Sequence, residues 1–314
     1  GLKDFYDYDR YAPIYSESKT IKYDKGRDVI LSSFGDFSPR VAGVAKQFFD
    51  KSWIDAELRD GKRGGAFSHG TIPSAHPYVF MNYTGRLRDV MTLAHELGHG
   101  VHQYLSRKQG YFQSNTPLTT AETASVFAEM LVFHKLTETE EDPKTRLALI
   151  CSKLEDIFAT VFRQVVMTRF EESLHAARRA KGELTQDDVN ELWINANQPM
   201  FGKSVKLTNN YKVWWMYIPH FIHSPFYCYA YSFGELLVLA LYNMYLNEGN
   251  KFVPRYVELL SSGGSESPDV LLERVGVDIK DPGFWQGGLD LLRVMVDQAI
   301  ELSGQVLKSG KRKR

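Results

Sequence analysis

The chain has 314 residues, enough for one large domain or two smaller ones. Lysine plus arginine and aspartate plus glutamate both total 38, so there is no net basic field for nucleic acid or an anionic membrane. Only two cysteines are present, which favours a reducing compartment over a secreted disulfide framework. No stretch of the sequence is apolar enough to span a membrane. We therefore expect a cytoplasmic protein with neither nucleic acid nor a membrane as partner.

Helical periodicity dominates the sequence, and capping residues mark several helix starts. Ser38 precedes a proline and Asp142 precedes another, while Thr185 with Asp188 has the spacing of a capping box. The predicted helices cover the ranges 39–50, 87–107, 143–182, 186–201, 226–247, 252–260, 269–275 and 289–307. The pattern predicts a mainly α fold.

The segment 61–83 lacks helical periodicity and is rich in glycine, proline, aromatic and β-branched residues. It predicts short strands or extended loops directly before the helix over 87–107. Because no repeat, low-complexity block or long linker interrupts the chain, we expect residues 1–314 to form a single domain. The basic residues 308–314 are expected to form a disordered tail.

The run His95-Glu96-Leu97-Gly98-His99 is an HExxH motif on the predicted helix 87–107. Its histidines lie one turn apart on one helix face, so that both imidazoles could bind one metal ion. Glu96 projects from a neighbouring position, where its carboxylate could act as a general base on water. The alternative is a surface helix with solvated histidines.

A catalytic zinc site needs a third protein ligand and an open position for water. His102 lies two turns from His95, about 10 Å along the helix axis, which is too far for both to bind one ion. Glu122 is the better candidate because Pro117 and the following threonines could start a new helix that carries it. Glu129, two turns further, could orient a ligating histidine, although both glutamates could also be ordinary solvated residues.

The segments TLAHELGHGVHQ and AETASVFAEML resemble the M3 metallopeptidases, and most closely their oligoendopeptidase F branch. Further similarity lies in SWIDAE, GKRGGAFSHG, HPYVFMNYTG and IPHFIHSPFYCYAYSFGE. The resemblance implies a zincin-like helical catalytic domain with one Zn²⁺ ion. It also implies that His95, His99 and Glu122 bind this ion and that Glu96 activates the attacking water.

Members of this family are considerably longer than 314 residues. They have an N-terminal helical region that helps to enclose a deep channel, which admits only oligopeptides. The resemblance therefore implies that this chain is the catalytic region of a longer protein and lacks the N-terminal region that covers the channel.

A strip of histidines and tyrosines matches the family segment that faces the scissile bond. The corresponding residues are His220, His223, Tyr227, Tyr229 and Tyr231. The resemblance implies substrate binding for the first three and oxyanion stabilisation by one tyrosine, with Tyr229 and Tyr231 preferred. The alternative for each tyrosine is a core position with a satisfied hydroxyl.

Gly65 lies in the glycine-rich run before the motif helix and could let a substrate backbone approach an extended edge. A plain tight turn is the alternative. Together these features predict a zinc endopeptidase that hydrolyses internal bonds of short oligopeptides through a zinc-activated water. A catalytically silent module that binds zinc and peptide, and a metallocarboxypeptidase, remain as alternatives.

Overall fold

The computed structural model describes residues 4–12 and 20–311, and these are mainly helical, as the sequence predicts. The helices are α1 (Tyr23–Phe37), α2 (Pro39–Asp50), α3 (Leu87–Ser106), α4 (Leu118–Ala121), α5 (Thr123–Thr139), α6 (Pro143–Thr160), α7 (Phe162–Lys181), α8 (Gln186–Phe201), α9 (His220–His223), α10 (Tyr229–Glu248), α11 (Phe252–Ser262), α12 (Pro268–Arg274) and α13 (Pro282–Lys311). The strands are β1 (Ile54–Asp55), β2 (Phe67–His69) and β3 (Tyr78–Phe80).

The chain folds into two compact units. The smaller unit comprises Lys153–Glu235 with the described N-terminal residues 4–12 and contains α7, α8 and α9. The larger unit comprises the described residues from 20 to 152 and from 236 onward, and it contains the sheet and the motif helix α3. Helices α6 and α10 continue from one unit into the other.

Side-chain caps begin two helices at the predicted positions. The Ser38 hydroxyl accepts a hydrogen bond from the Val41 backbone N–H at 3.4 Å, with a proline at the first helical position of α2. At the start of α8, the Thr185 backbone N–H donates to Asp188 at 2.9 Å, and the Asp188 N–H donates to the Thr185 hydroxyl at 3.2 Å. This reciprocal pair is the predicted capping box.

The helix predicted over 143–182 is instead two helices, α6 and α7, separated at Val161. The Ser232 hydroxyl donates to the carbonyl of Val161 at 2.9 Å and approaches that of Thr160 at 3.3 Å. The Val161 N–H still donates to the Ile157 carbonyl at 2.7 Å, and the Val161 carbonyl still accepts from the Val165 N–H at 3.1 Å, so helical hydrogen bonds continue through the separation. The contact with Ser232 joins residues far apart in the chain, and sequence periodicity carries no sign of it.

Helix α13 is longer than predicted at both ends. It begins at Pro282, where proline suits the first helical turn, and it extends to Lys311. Residues 308–311 of the predicted tail are therefore helical. Residues 312–314 lie outside the described part.

The three strands form a small sheet in the order β1-β3-β2. Strand β1 is parallel to β3, and β2 is antiparallel to β3 with Ser68 opposite Val79. Strand β2 is therefore an edge strand. The Gln103 side chain of α3 contacts this strand, because the Ser68 hydroxyl donates to its amide oxygen at 2.8 Å. The sheet confirms the predicted extended structure before the motif helix.

Each unit has its own apolar core. In the larger unit, α3 packs on α5, and Leu93, Leu97 and Phe127 are almost completely buried. In the smaller unit, Phe170 and Trp193 lie at the centre of an aromatic cluster that α7 and α8 share with the segment after α8. Among the helices of residues 4–12 and 20–311, none has the length and apolar character needed to span a membrane.

Candidate metal centre and active site

His95 and His99 lie one turn apart on α3, on the face that meets α5. Their Nε2 atoms are 3.2 Å apart, and their side chains are 27% and 19% exposed. The two nitrogens therefore face a common point, and both side chains remain partly accessible to solvent.

Glu122 lies at the junction between α4 and α5, where it caps α5. Its Oε2 atom is 3.4 Å from His95 Nε2 and 3.3 Å from His99 Nε2. All three candidate ligand atoms lie within 4.8 Å of one another. The predicted ligand set is thus brought together, with Glu122 at a helix junction rather than inside the first turns of a continuous helix.

The close approach of α3 and α5 depends on Gly98, the glycine inside the HExxH motif. A β-carbon at this position would lie 2.5 Å from the Ala124 carbonyl oxygen and 2.6 Å from Ser125 Cα. Both distances are far below van der Waals contact, so that only glycine lets the backbones come this close. Glu122 reaches the histidines because α5 can lie directly against α3.

Ser125 holds the carboxylate of Glu122 and was not among the residues predicted from the sequence. Its completely buried hydroxyl donates to Glu122 Oε2 at 2.7 Å and approaches the Glu122 carbonyl oxygen at 3.1 Å. The spacing of three residues in Glu122-Thr-Ala-Ser125 was the available signal, since a serine at this distance can bond back to a helix-capping residue.

Glu129 contacts the ring nitrogen of His95 that faces away from the cluster. Its Oε1 atom lies 2.6 Å from His95 Nδ1. This contact fixes the ring so that Nε2 faces His99 and Glu122. His102 is buried elsewhere on α3 and does not belong to the cluster.

Glu96 is buried beside this cluster. Burial raises the pKa of its carboxyl group, while the charges of His95 and His99 and the backbone N–H of Ser68 act in the opposite direction. The Ser68 N–H belongs to the edge strand β2, so that this strand directly adjoins the motif glutamate.

Positive charge at the centre of the cluster is stabilised by its carboxylates, as the pKa values of Glu122 and His95 show. Burial alone would raise the pKa of Glu122, but His99 and the Ser125 hydroxyl lower it to about 2. Burial would likewise lower the pKa of His95, but Glu129 and Glu122 raise it. The cluster therefore provides an anionic oxygen beside imidazole nitrogens, which is a suitable environment for a divalent cation.

The donor set fits a tetrahedral metal site. Two ligand atoms of such a site, with bonds of about 2.0–2.1 Å to the metal, are about 3.3–3.4 Å apart. The separations among the three candidate atoms are 3.2, 3.3 and 3.4 Å. Two imidazoles and one carboxylate with a fourth position left open form a ligand set typical of catalytic zinc.

The predicted strip of histidines and tyrosines lies in the smaller unit and divides into two parts. His220, Tyr227 and Tyr231 form an aromatic cluster in which His220 Nε2 is 3.1 Å from the Tyr231 hydroxyl. Tyr229 instead lines a separate surface pocket between α7 and α8, and His223 is exposed. The catalytic and binding roles of these residues remain predictions.

Gly65 lies in the exposed loop before β2 and has φ +89°, a conformation that favours glycine. Its carbonyl oxygen is 3.4 Å from the side-chain nitrogen of Asn82. Gly65 thus lies at a bend directly before the edge strand β2, and its role toward the substrate remains a prediction.

The fold and the HExxH cluster together define a mainly helical, zincin-like protein. Residues 36–291 match the model of peptidase family M3, and the chain belongs to this family.

The chain is similar to several described relatives. It is 31% identical to oligopeptidase PepF of Bacillus subtilis, with 98% of this chain and 46% of the relative covered. It is 29% identical to an oligoendopeptidase F homolog of Lactococcus lactis, with 96% and 50% covered. The crystal structure of a candidate peptidase from Chlamydophila abortus has a TM-score of 0.89 and 31% identity, with 96% and 50% covered.

These similarities confirm the predicted resemblance to the oligoendopeptidase F branch. The chain spans about half the length of the curated relatives that it matches.

Proposed function

We propose that this chain carries the catalytic centre of a zinc-dependent endopeptidase that cleaves internal bonds of oligopeptides. The observation that carries the proposal is the cluster of His95 Nε2, His99 Nε2 and Glu122 Oε2, whose separations of 3.2–3.4 Å suit a tetrahedral ion. The names of the relatives, oligopeptidase and oligoendopeptidase, support peptides as the substrate class.

His95, His99 and Glu122 would hold the ion, and Glu129 and Ser125 would hold these ligands in place. When bound, zinc would supply Lewis acidity, which lowers the pKa of a water molecule to about 7 and polarises a peptide carbonyl.

Glu96 is the proposed general base. Its carboxylate is buried next to the histidines, so that little bulk water competes for it. It takes a proton from the attacking water, whose oxygen adds to the carbonyl carbon of the scissile bond. Glu96 then delivers this proton to the departing amine nitrogen, which restores the carboxylate for the next turnover.

Within the strip, Tyr231 is the preferred donor to the developing oxyanion. Its hydroxyl is already paired with His220, so that the histidine orients it, whereas Tyr229 lines the separate pocket on α7 and α8. A preorganised donor of this kind stabilises charge that develops in the transition state. His220, His223 and Tyr227 are proposed to bind the substrate.

The outer edge of β2 is the proposed contact for the substrate backbone. Strand β2 pairs with β3 on one side only, and its Ser68 N–H adjoins Glu96. A peptide that adds to this edge would form main-chain hydrogen bonds and would therefore be bound with little dependence on its side chains.

We further propose a cytoplasmic location, which suits a peptidase for short peptides.

The test uses zinc-loaded protein and a quenched fluorescent peptide that is acetylated at its N-terminus and amidated at its C-terminus. Glu96→Gln should retain one zinc per chain and lose at least about 100-fold in kcat, because it removes the general base. Glu122→Ala should lose zinc itself, and Glu141→Gln, a change at an exposed site, should match the wild type.

Unchanged cleavage by Glu96→Gln would refute the proposed chemistry. Cleavage only of peptides with a free C-terminus, identified by mass spectrometry, would instead indicate a metallocarboxypeptidase. Zinc binding without cleavage of any peptide would indicate a silent binding module.

A further inference from the structure

The loop between α9 and α10 contains a residue in an unfavourable backbone conformation. Phe226 has φ +58°, in the left-handed region that residues other than glycine rarely adopt. Outside glycine, only Ser52 and Thr71 share this feature among the described residues. Phe226 directly precedes Tyr227 of the aromatic cluster, so its conformation sets the direction in which the chain enters that cluster.

Glu171 of α7 holds Phe226 in this conformation. Its Oε1 atom accepts a hydrogen bond from the Phe226 backbone N–H at 2.8 Å. One helical turn further, the ring of His175 lies 4.7 Å from the ring of Phe226. Helix α7 therefore contacts both the backbone and the side chain of the left-handed residue.

The carboxylate of Glu171 is itself in an unfavourable environment. The residue is only 1% exposed, and no group in the described part of the chain bonds to its Oε2 atom. A buried polar atom without a hydrogen bond is destabilising, because on folding it loses its hydrogen bonds to water. The contact between Glu171 of α7 and Phe226 of the loop thus brings two destabilising features together, and such features cluster where function requires a specific geometry.

We propose that Glu171 is a positioning residue, which locks the loop through Phe226 and thereby holds Tyr227, Tyr231 and His220 in their arrangement. The proposal rests on the proposed function, in which this cluster acts on the peptide substrate. It predicts that Glu171 influences turnover without touching the substrate, and that its contribution to activity exceeds its contribution to stability.

The first variant is Glu171→Met, which removes the acceptor but keeps most of the volume. We expect kcat for the blocked peptide to fall about tenfold or more, with a smaller change in KM, because the hydrogen bond that holds the Phe226 backbone is lost. The melting temperature should not fall, since the orphaned buried oxygen also disappears. Glu171→Gln, which keeps an acceptor oxygen, should retain most activity, and Glu191→Met at an exposed site of α8 is the control.

The second variant adds Phe226→Gly to Glu171→Met. Glycine adopts positive φ without strain, so the loop no longer needs the carboxylate to hold it there. Activity should therefore recover in the double variant, and Phe226→Gly alone should remain close to the wild type. A loss of activity together with a lower melting temperature and no recovery would mark Glu171 as a merely structural residue and overturn the proposal.

A third experiment does not depend on peptidase activity. It measures how firmly the loop between α9 and α10 is held, from the rate at which chymotrypsin cleaves the folded protein after Tyr227. Glu171→Met should raise this rate, and unchanged cleavage would overturn the proposal. Faster cleavage with unchanged kcat would refute the positioning role. A wild-type protein without peptidase activity would instead refute the proposed function, while the proteolysis result still decides whether Glu171 holds the loop.

Discussion

His95 Nδ1 lies 2.6 Å from Glu129 Oε1, although the two residues are 34 positions apart in the chain. The contact leaves the second nitrogen of the His95 ring facing His99 and Glu122. One imidazole thus links the candidate metal centre to the carboxylate behind it, and this arrangement fixes both the ring orientation and its tautomer.

Removal of this partner should weaken metal binding. We expect Glu129→Gln to reduce zinc affinity by about 10- to 100-fold, because the ring of His95 loses its anionic partner. Competition with a chromogenic chelator measures the affinity directly. Glu138→Gln is the matched control, since Glu138 lies on the same helix in a solvent-exposed pair with His134. Equal affinities of the two variants would contradict the role of Glu129.

Gly98→Ala should separate α3 from α5. The added β-carbon would lie 2.5 Å from the Ala124 carbonyl oxygen, a backbone atom that cannot move independently of its helix. We expect a loss of about 2–4 kcal/mol in the free energy of unfolding and weaker zinc binding, because overpacking displaces Glu122 from the histidines.

Gly43→Ala provides the contrast for this experiment. Gly43 is an exposed residue of α2, and a β-carbon there has no neighbour within 4 Å. The substitution should stabilise the protein by about 0.5–1 kcal/mol, because alanine favours the helix. Urea unfolding of both variants decides the comparison. A Gly98→Ala protein as stable as the wild type would show that the helices can separate without loss.

Lys62 should make a large contribution to the loop before the edge strand. Its side chain is 2% exposed, and its ammonium group donates to the carbonyl oxygens of Asp55, Glu57 and Met81 and to the Asp55 carboxylate. We expect Lys62→Met to lower the free energy of unfolding by about 1–3 kcal/mol, because four acceptors that are exposed or only partly buried lose their common donor.

The control for Lys62 is Lys46→Met, which removes an exposed pair with Asp50 within α2. Such exposed pairs contribute about 0–1 kcal/mol. The two unfolding curves in urea should therefore differ clearly. Similar destabilisation by both substitutions would show that the contacts of Lys62 are replaced by water.

His102 should make the stability of the protein sensitive to acid. Complete burial lowers the pKa of His102 from 6.5 to about 4, so that the folded protein holds it neutral while the unfolded chain protonates it below about pH 6.5. Its contribution is therefore fully present above pH 6.5 and is lost as the pH falls from 6.5 toward 4. Between pH 7.5 and 4.5 the loss should be about 2–3 kcal/mol.

The pH effect is measured by urea unfolding in the presence of a chelator, so that metal binding does not contribute. His102→Gln removes the titrating group but leaves His95 and His99 in both proteins. The wild type should lose more stability than this variant on acidification. Parallel stability curves for the two proteins would contradict the pKa of His102.

The sequence by itself determined the chemistry of the site and most of the fold. The four-residue spacing of His95 and His99 defines one face of a helix whatever surrounds it, and the capping residues Ser38 and Thr185 act on their own helix starts. Such signals are local, because the interacting groups are separated by only three or four residues.

Only the tertiary structure decided how the distant parts meet. The approach of Glu122 to the histidines depends on the contact of Gly98 with α5, and the hydrogen bond of Ser232 to Val161 joins residues 71 positions apart. The contact between Glu171 and Phe226 spans 55 residues. No periodicity in a single sequence encodes these pairings, because they arise when separate helices pack and bring their backbones within hydrogen-bonding distance.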